Sequence, residues 1–223
     1  PKPCPPLAAR PRGLYVTDVE RWVRDPYAIY AKRVLQLKPL EPIDVAPGAA
    51  DRGSAIHKAL ELFAKAYPKN FPDDVTAVEA LLKLGKEAFG TMLELPIVQS
   101  VWWPRFERSI RWYVDWERKR RLDIERVEPE IIGSISFEAP GGLFKLSAKA
   151  DRLDVKPGGR VAIIDYKTGQ SPSMDQIRRG FSPQMTLEAA IALAGGFPGI
   201  TAENVDELVY VKLTGAEEGG KAV

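Results

Sequence analysis

Apolar positions recur at helical spacing through the first half of the chain and alternate through most of the second. Val19, Trp22, Val23 and Tyr27 form the first stripe, with Thr17 placed to cap it. Pro26 lacks an amide hydrogen, so it should break this helix and start a second segment over Tyr27–Leu35. Asp51–Tyr67 carries Ile56, Leu60, Phe63 and Tyr67 on one face, and Val75–Phe89 predicts a third helix. Ile97–Leu122 predicts a long one with Trp102, Phe106, Ile110, Tyr113 and Trp116. Such rings could stack nucleobases, but their spacing predicts a buried core stripe.

Beyond residue 126 the period becomes two. Val127–Phe137 alternates, Leu143–Val155 follows the turn Pro140-Gly141-Gly142, and Val161–Tyr166 follows Pro157-Gly158-Gly159. A helix over Pro183–Ala194 and a strand over Glu207–Leu213 complete an α-β-β-β-α-β order. That order predicts an α/β fold, a mixed sheet flanked by helices with an N-terminal helical cap. Residues 1–13 read as a Pro-rich linker from a larger chain, 14–213 as one domain, and the Gly-rich 214–223 as a flexible tail or truncation.

Composition narrows the class. The chain is 45% hydrophobic and 28% charged, the balance of an ordinary globular protein. Its longest apolar stretch, Leu187–Phe197, is too short to cross a bilayer, and no secretory signal opens the chain. The default expectation is a cytoplasmic protein with no membrane partner. Net charge is only +2, so any affinity for DNA must come from local patches such as Arg118-Lys119-Arg120-Arg121 or Arg178-Arg179. Taken alone, the same runs read as solvated surface.

The chemistry concentrates in two strands. Ala150-Asp151-Arg152-Leu153-Asp154 ends one of them, and Val161-Ala162-Ile163-Ile164-Asp165-Tyr166-Lys167-Thr168-Gly169 forms the next. Alternation places Asp165 and Lys167 on one face with Tyr166 on the other. Pairing across the Gly-Gly turn brings Asp151 towards Asp165. Two neighbouring carboxylates repel unless a cation sits between them, and magnesium favours such oxygen ligands. A cation there would polarise a phosphate and acidify a water, while Lys167 would orient that water or stabilise developing negative charge.

These segments resemble the RecB-type branch of the PD-(D/E)xK nucleases. Three further segments agree in order: Arg52-Gly53-Ser54-Ala55-Ile56-His57, Ser182-Pro183-Gln184-Met185-Thr186-Leu187-Glu188, and the opening Trp22-Val23-Arg24-Asp25-Pro26-Tyr27-Ala28-Ile29-Tyr30. The resemblance runs from about Leu14 to Leu213 and looks closest to the nuclease domain of AddB, from the bacterial AddAB helicase–nucleases. It implies a restriction-endonuclease-like core. His57, Asp151, Asp165 and the backbone carbonyl of Tyr166 would hold Mg2+ or Mn2+. Lys167 would be the catalytic lysine, and Gln184 would position DNA or a reactive water.

The implied activity is a magnesium-dependent deoxyribonuclease, an exonuclease on single-stranded DNA. It would work beside an AddA-like helicase/nuclease subunit in double-strand-break repair. The alternatives are a catalytically inactive DNA-binding or scaffold module, and a stand-alone Cas4-like exonuclease. Many relatives carry an iron–sulfur cysteine where this chain has Asp25. With Cys4 as the only cysteine, no four-thiolate cluster is expected. Glu188 stands where the family usually has a tyrosine, and Glu130 is a further candidate acid at the edge of the site.

Overall fold

The computed structural model describes residues 4–40 and 46–223; residues 1–3 of the expected linker lie outside the described residues. In chain order the elements are β1 (Gly13–Tyr15), α1 (Val16–Arg24), α2 (Pro26–Ile29), α3 (Ala49–Ala66), α4 (Asp74–Phe89) and α5 (Trp103–Arg120). There follow β2 (Arg126–Ala139), β3 (Gly142–Lys156), β4 (Arg160–Lys167), α6 (Met174–Arg178), α7 (Gln184–Leu193), β5 (Asn204–Lys212) and β6 (Lys221–Ala222). The strands pair in the order β1-β3-β4-β5-β6, with β2 also on β3. The sheet is mixed: β1 runs parallel to β3 and β4 parallel to β5, whereas β3–β4 and β5–β6 are antiparallel.

The chain divides into two compact units. One comprises Pro1–Val45, Ile132–Lys149 and Pro172–Thr201; the other comprises Ala46–Ile131, Ala150–Ser171 and Ala202–Val223. Strands β2 and β3 are long enough for each to contribute to both.

The second unit packs α3, α4 and α5 on the face of β4 and β5 that carries Ala162, Ile164, Tyr166, Val209 and Val211. Ala59, Leu60, Phe63, Leu81, Phe106 and Ile110 fill the layer between. Burying each large apolar side chain there contributes about 1.5–3 kcal/mol. The aromatic stripe of α5 is therefore core: Phe106 and Tyr113 are fully buried and Trp102 nearly so. α4 approaches α5 closely because residue 85 is glycine; a Cβ there would lie 2.3 Å from the Phe106 ring. Asp73 caps α4 by accepting from the amides of Val75 and Thr76.

In the first unit, Leu14, Val16, Ile29, Leu146, Met185, Ile191 and Phe197 are buried. Asp25 starts α2 after the Pro26 break, its carboxylate accepting from the amides of Tyr27 and Ala28.

Three local expectations change. Thr17 does not cap α1, because β1 runs straight into the helix and no loop residue intervenes. The long helix from residue 97 opens instead as a wide π-type turn, Val98–Trp102, before α5. Pro104 lies in the first turn of α5 and lacks the amide needed to continue the regular ladder back to Ser100. The Gly-rich segment read as a tail folds back, so that β6 pairs with β5 through Val211–Ala222 and Lys212–Lys221. Among the described residues no helix is long and apolar enough to cross a membrane.

Candidate functional site

β3 and β4 carry the acids and the lysine on adjacent strands of the second unit. Their antiparallel register pairs Arg152 with Ile164 and Asp154 with Ala162, so Asp151 and Asp165 both stand one residue past the Arg152–Ile164 pair. The Asp151 carboxylate accepts from the amide of Tyr166 at 2.9 Å, which locks it to the end of β4. Lys167 Nζ lies 2.5 Å from Asp165 Oδ2, as expected for two residues sharing one face of a strand. The same ammonium sits 5.8 Å from the centroid of the Tyr210 ring on β5.

α3 brings His57 to the same place. Its first turns meet the end of β4: Arg52 donates to the Thr168 carbonyl, and a Cβ at Gly53 would come within 3.1 Å of Thr168 Oγ1. One turn further along, His57 Nδ1 lies 3.4 Å from Asp151 Oδ2, and its ring meets the edge of Tyr166 at 6.0 Å. The second unit thus gathers His57, Asp151, Asp165, Tyr166 and Lys167.

The opposite face of these strands holds a buried ionic cluster. Arg152 is fully buried and donates to Tyr113 and Tyr166 hydroxyls, to Glu117 at 2.7 Å and to Asp154 at 2.5 Å. Arg121 holds the second oxygen of Glu117, and Arg120 joins Asp154 to Glu207. Burial works against the Arg152 charge, but Asp154 and Glu117 outweigh it and raise its pKa. Sequence reasoning missed this cluster. Its local trace is Arg152 alternating with Asp154 on β3, while Glu117 and Tyr113 lie on a distant helix.

The electrostatics of the first face are strained in a definite direction. Burial pushes the Asp165 carboxyl up to about 6; Lys167 opposes the shift and the like charge of Asp151 adds to it. Burial also raises the pKa of Asp151, with Glu130 adding its repulsion while His57, the Tyr166 amide and Lys167 pull the other way. Glu130 thus acts electrostatically on the site, and it holds a left-handed backbone (φ 54°) uncommon for a side chain of its kind.

Among the described residues no three His, Cys, Asp or Glu side chains close into a ready cage. The carboxylates that would form one are engaged by Lys167 and by the Tyr166 amide. The donor set nevertheless suits a hard divalent cation. It offers two carboxylates that resist ionising side by side, an imidazole and a backbone carbonyl, and a positive charge between them would relieve the repulsion.

Gln184 belongs to the first unit, where it opens α7 and donates to Glu188 Oε1 at 3.2 Å. Glu188 is itself buried. Arg24 ties the preceding residues to α1, donating to the Phe181 carbonyl and to Ser182 Oγ. Thr17, Arg21, Arg24 and Gln184 line a cavity of about 330 Å3 in that unit.

Comparison with known proteins bears on this arrangement. Residues 16–222 match the family model of the PD-(D/E)XK nuclease superfamily. An uncharacterized protein of Rickettsia bellii is 29% identical over 221 residues, covering 93% of this chain and 26% of its own length. A Rickettsia felis protein, also uncharacterized, is 31% identical over 190 residues, covering 84% of this chain and 22% of its own. The chain therefore spans about a quarter of the length of the curated relatives it matches. Among solved structures, the crystal structure of SSO0001 overlaps 96% of this chain and 67% of that one, at 13% identity and a TM-score of 0.34, too loose to carry an argument.

Proposed function

The chain belongs to the PD-(D/E)XK nuclease superfamily, and from that premise we propose that it is a metal-dependent deoxyribonuclease acting on single-stranded DNA. One observation carries the reading: a buried and a half-buried carboxylate, a lysine and a histidine from three separate elements meet where β3 runs beside the end of β4.

In this reading His57, Asp151, Asp165 and the Tyr166 carbonyl hold Mg2+ or Mn2+. When bound, the ion supplies Lewis acidity to a phosphate oxygen and lowers the pKa of a coordinated water. The residues of the chain do the rest. The Tyr166 amide holds Asp151 in place from the neighbouring strand. Asp165 keeps Lys167 against the site, where its ammonium faces charge that develops as the phosphodiester bond breaks. Asp165 and Tyr166 are buried beside it, which lowers the dielectric around this one positive charge. Gln184, carried by the first unit, would bind DNA there.

The wider setting belongs to the same proposal. We read the domain as the exonuclease part of a cytoplasmic AddAB-like helicase–nuclease, working with an AddA-like partner in DNA repair. The relatives' much greater length supports a larger machine around it. The experiment is cleavage of labelled single-stranded DNA by the intact protein, with Mg2+ or Mn2+ and with excess chelator. Metal-dependent cutting lost in chelator is expected, and cutting that survives the chelator overturns the two-carboxylate mechanism. A protein that binds DNA but never cuts it, even with its partner, would instead be a scaffold.

A further inference from the structure

Outside the catalytic cluster, the first unit carries a second feature with the composition of a ligand site. A cavity of about 420 Å3 lies among Arg10, Pro11, Trp22, Pro26, Tyr30 and Phe144. Its size falls within the range of small-molecule pockets. Trp22 lines it yet remains 52% exposed, and Tyr27, 62% exposed, packs its ring 5.7 Å from that of Tyr30. An apolar helix face is normally spent on core; here an indole and a phenol stay in solvent beside an open cavity. The prolines make stiff walls, since their backbones have little freedom to lose when something binds.

The charge around the cavity indicates what would fill it. Between Cys4 and Leu40 seven Lys or Arg stand against three Asp or Glu. Arg10 is held at the cavity by donating to the Pro5 carbonyl and to Cys4 Sγ. Arg10 is the one charged side chain that lines the cavity, and among the described residues it has no carboxylate partner. A purely apolar protein segment would leave the Arg10 guanidinium without counter-charge. A polyanion bearing flat aromatic groups satisfies both features, because a base stacks on the exposed ring while a phosphate meets Arg10.

We propose that this cavity is a nucleobase pocket that takes an unstacked base of single-stranded DNA against Trp22 and Tyr30, with Arg10 meeting a flanking phosphate. The assignment rests on the DNA reading above and adds the reason for a single-strand preference: a base paired in a duplex cannot reach the indole face.

The test uses the intact protein in excess chelator, so that binding is read without cutting. Anisotropy titrations compare a fluorescent oligothymidylate of about 12 nucleotides with an abasic strand of the same length and charge. The wild type should bind the strand with bases at least about 5-fold more tightly, the effect of one stacked base. Trp22→Ala should lose about 5- to 100-fold on that strand and change little on the abasic one, and Trp22→Phe should restore most of the loss. The wild-type comparison and Trp22→Phe do not depend on the alanine variant folding well.

Equal wild-type binding of the two strands overturns the pocket. So does unchanged oligothymidylate binding by Trp22→Ala, the result expected if another segment of the protein covers the indole. Either result alongside normal metal-dependent cutting removes the pocket alone. A protein that neither binds nor cuts DNA removes the nuclease reading with it.

Discussion

Replacing Asp165 by asparagine should stabilise the metal-free protein while destroying its activity. Burial moves the Asp165 carboxyl from an ordinary value near 3.8 up to about 6. A carboxyl whose folded pKa is raised stays protonated in the folded protein after the unfolded chain has released its proton. The folded state therefore loses stability as pH climbs between these two values, and above the upper one the loss is complete. At about 1.36 kcal/mol for each tenfold change in proton affinity, the full loss is about 3 kcal/mol. The figure already contains the compensating attraction of Lys167. Asparagine keeps the shape and an accepting oxygen but never ionises.

In chelator at about pH 7.5, Asp165→Asn should thus melt higher than wild type by up to about 6–12 °C for a domain of this size. The gap should shrink as pH falls through this window and close below about 3.8, where Asp165 is protonated in the folded and the unfolded chain alike. Adding Mg2+ should raise the wild-type melting temperature and leave the variant's unchanged. Calorimetry across pH, with and without chelator, measures all three. A gain that ignores pH, or an asparagine variant less stable at neutral pH, would refute the reasoning.

Lys167→Ala should slow single-turnover cleavage by about 10²–10³ while DNA affinity stays within a few-fold, since the ammonium acts on charge that exists only during reaction. Near-normal cutting would return this lysine to the status of a solvated strand end. His57→Ala should weaken metal affinity by about 10- to 100-fold, read by calorimetric titration, and barely move the melting temperature in chelator. The reverse pattern would make the histidine a packing residue. Arg152→Met should cost about 3–5 kcal/mol in denaturant unfolding, because Glu117 and Asp154 keep their burial and lose their shared cation. A loss below about 1 kcal/mol would show that Arg120 and Arg121 alone neutralise the cluster.

Much of the site was legible because its logic is local. A strand has period two, so Asp165 and Lys167 had to share a face and Tyr166 had to oppose them. A short Gly-Gly turn joins β3 to β4, so Asp151 had to return near Asp165. The helical stripes of α3 and α5 required apolar partners, and the sheet supplied them. His57 was visible only through the resemblance, since nothing in α3 says which strand end its first turns will meet.

Other features were decided by segments far apart in sequence. Arg152 is buried because Glu117, 35 residues away, and the Tyr113 hydroxyl stand where the strand meets α5. The raised pKa of Asp165 arises from the walls around it, and no property of Asp-Tyr-Lys announces it. The return of β6 onto β5 and the division into two units likewise lay outside any local pattern. Periodicity and turn length act over a few residues and are written directly in the chain. Desolvation and ion pairing depend on which distant groups arrive at one place, and only the folded packing brings them there.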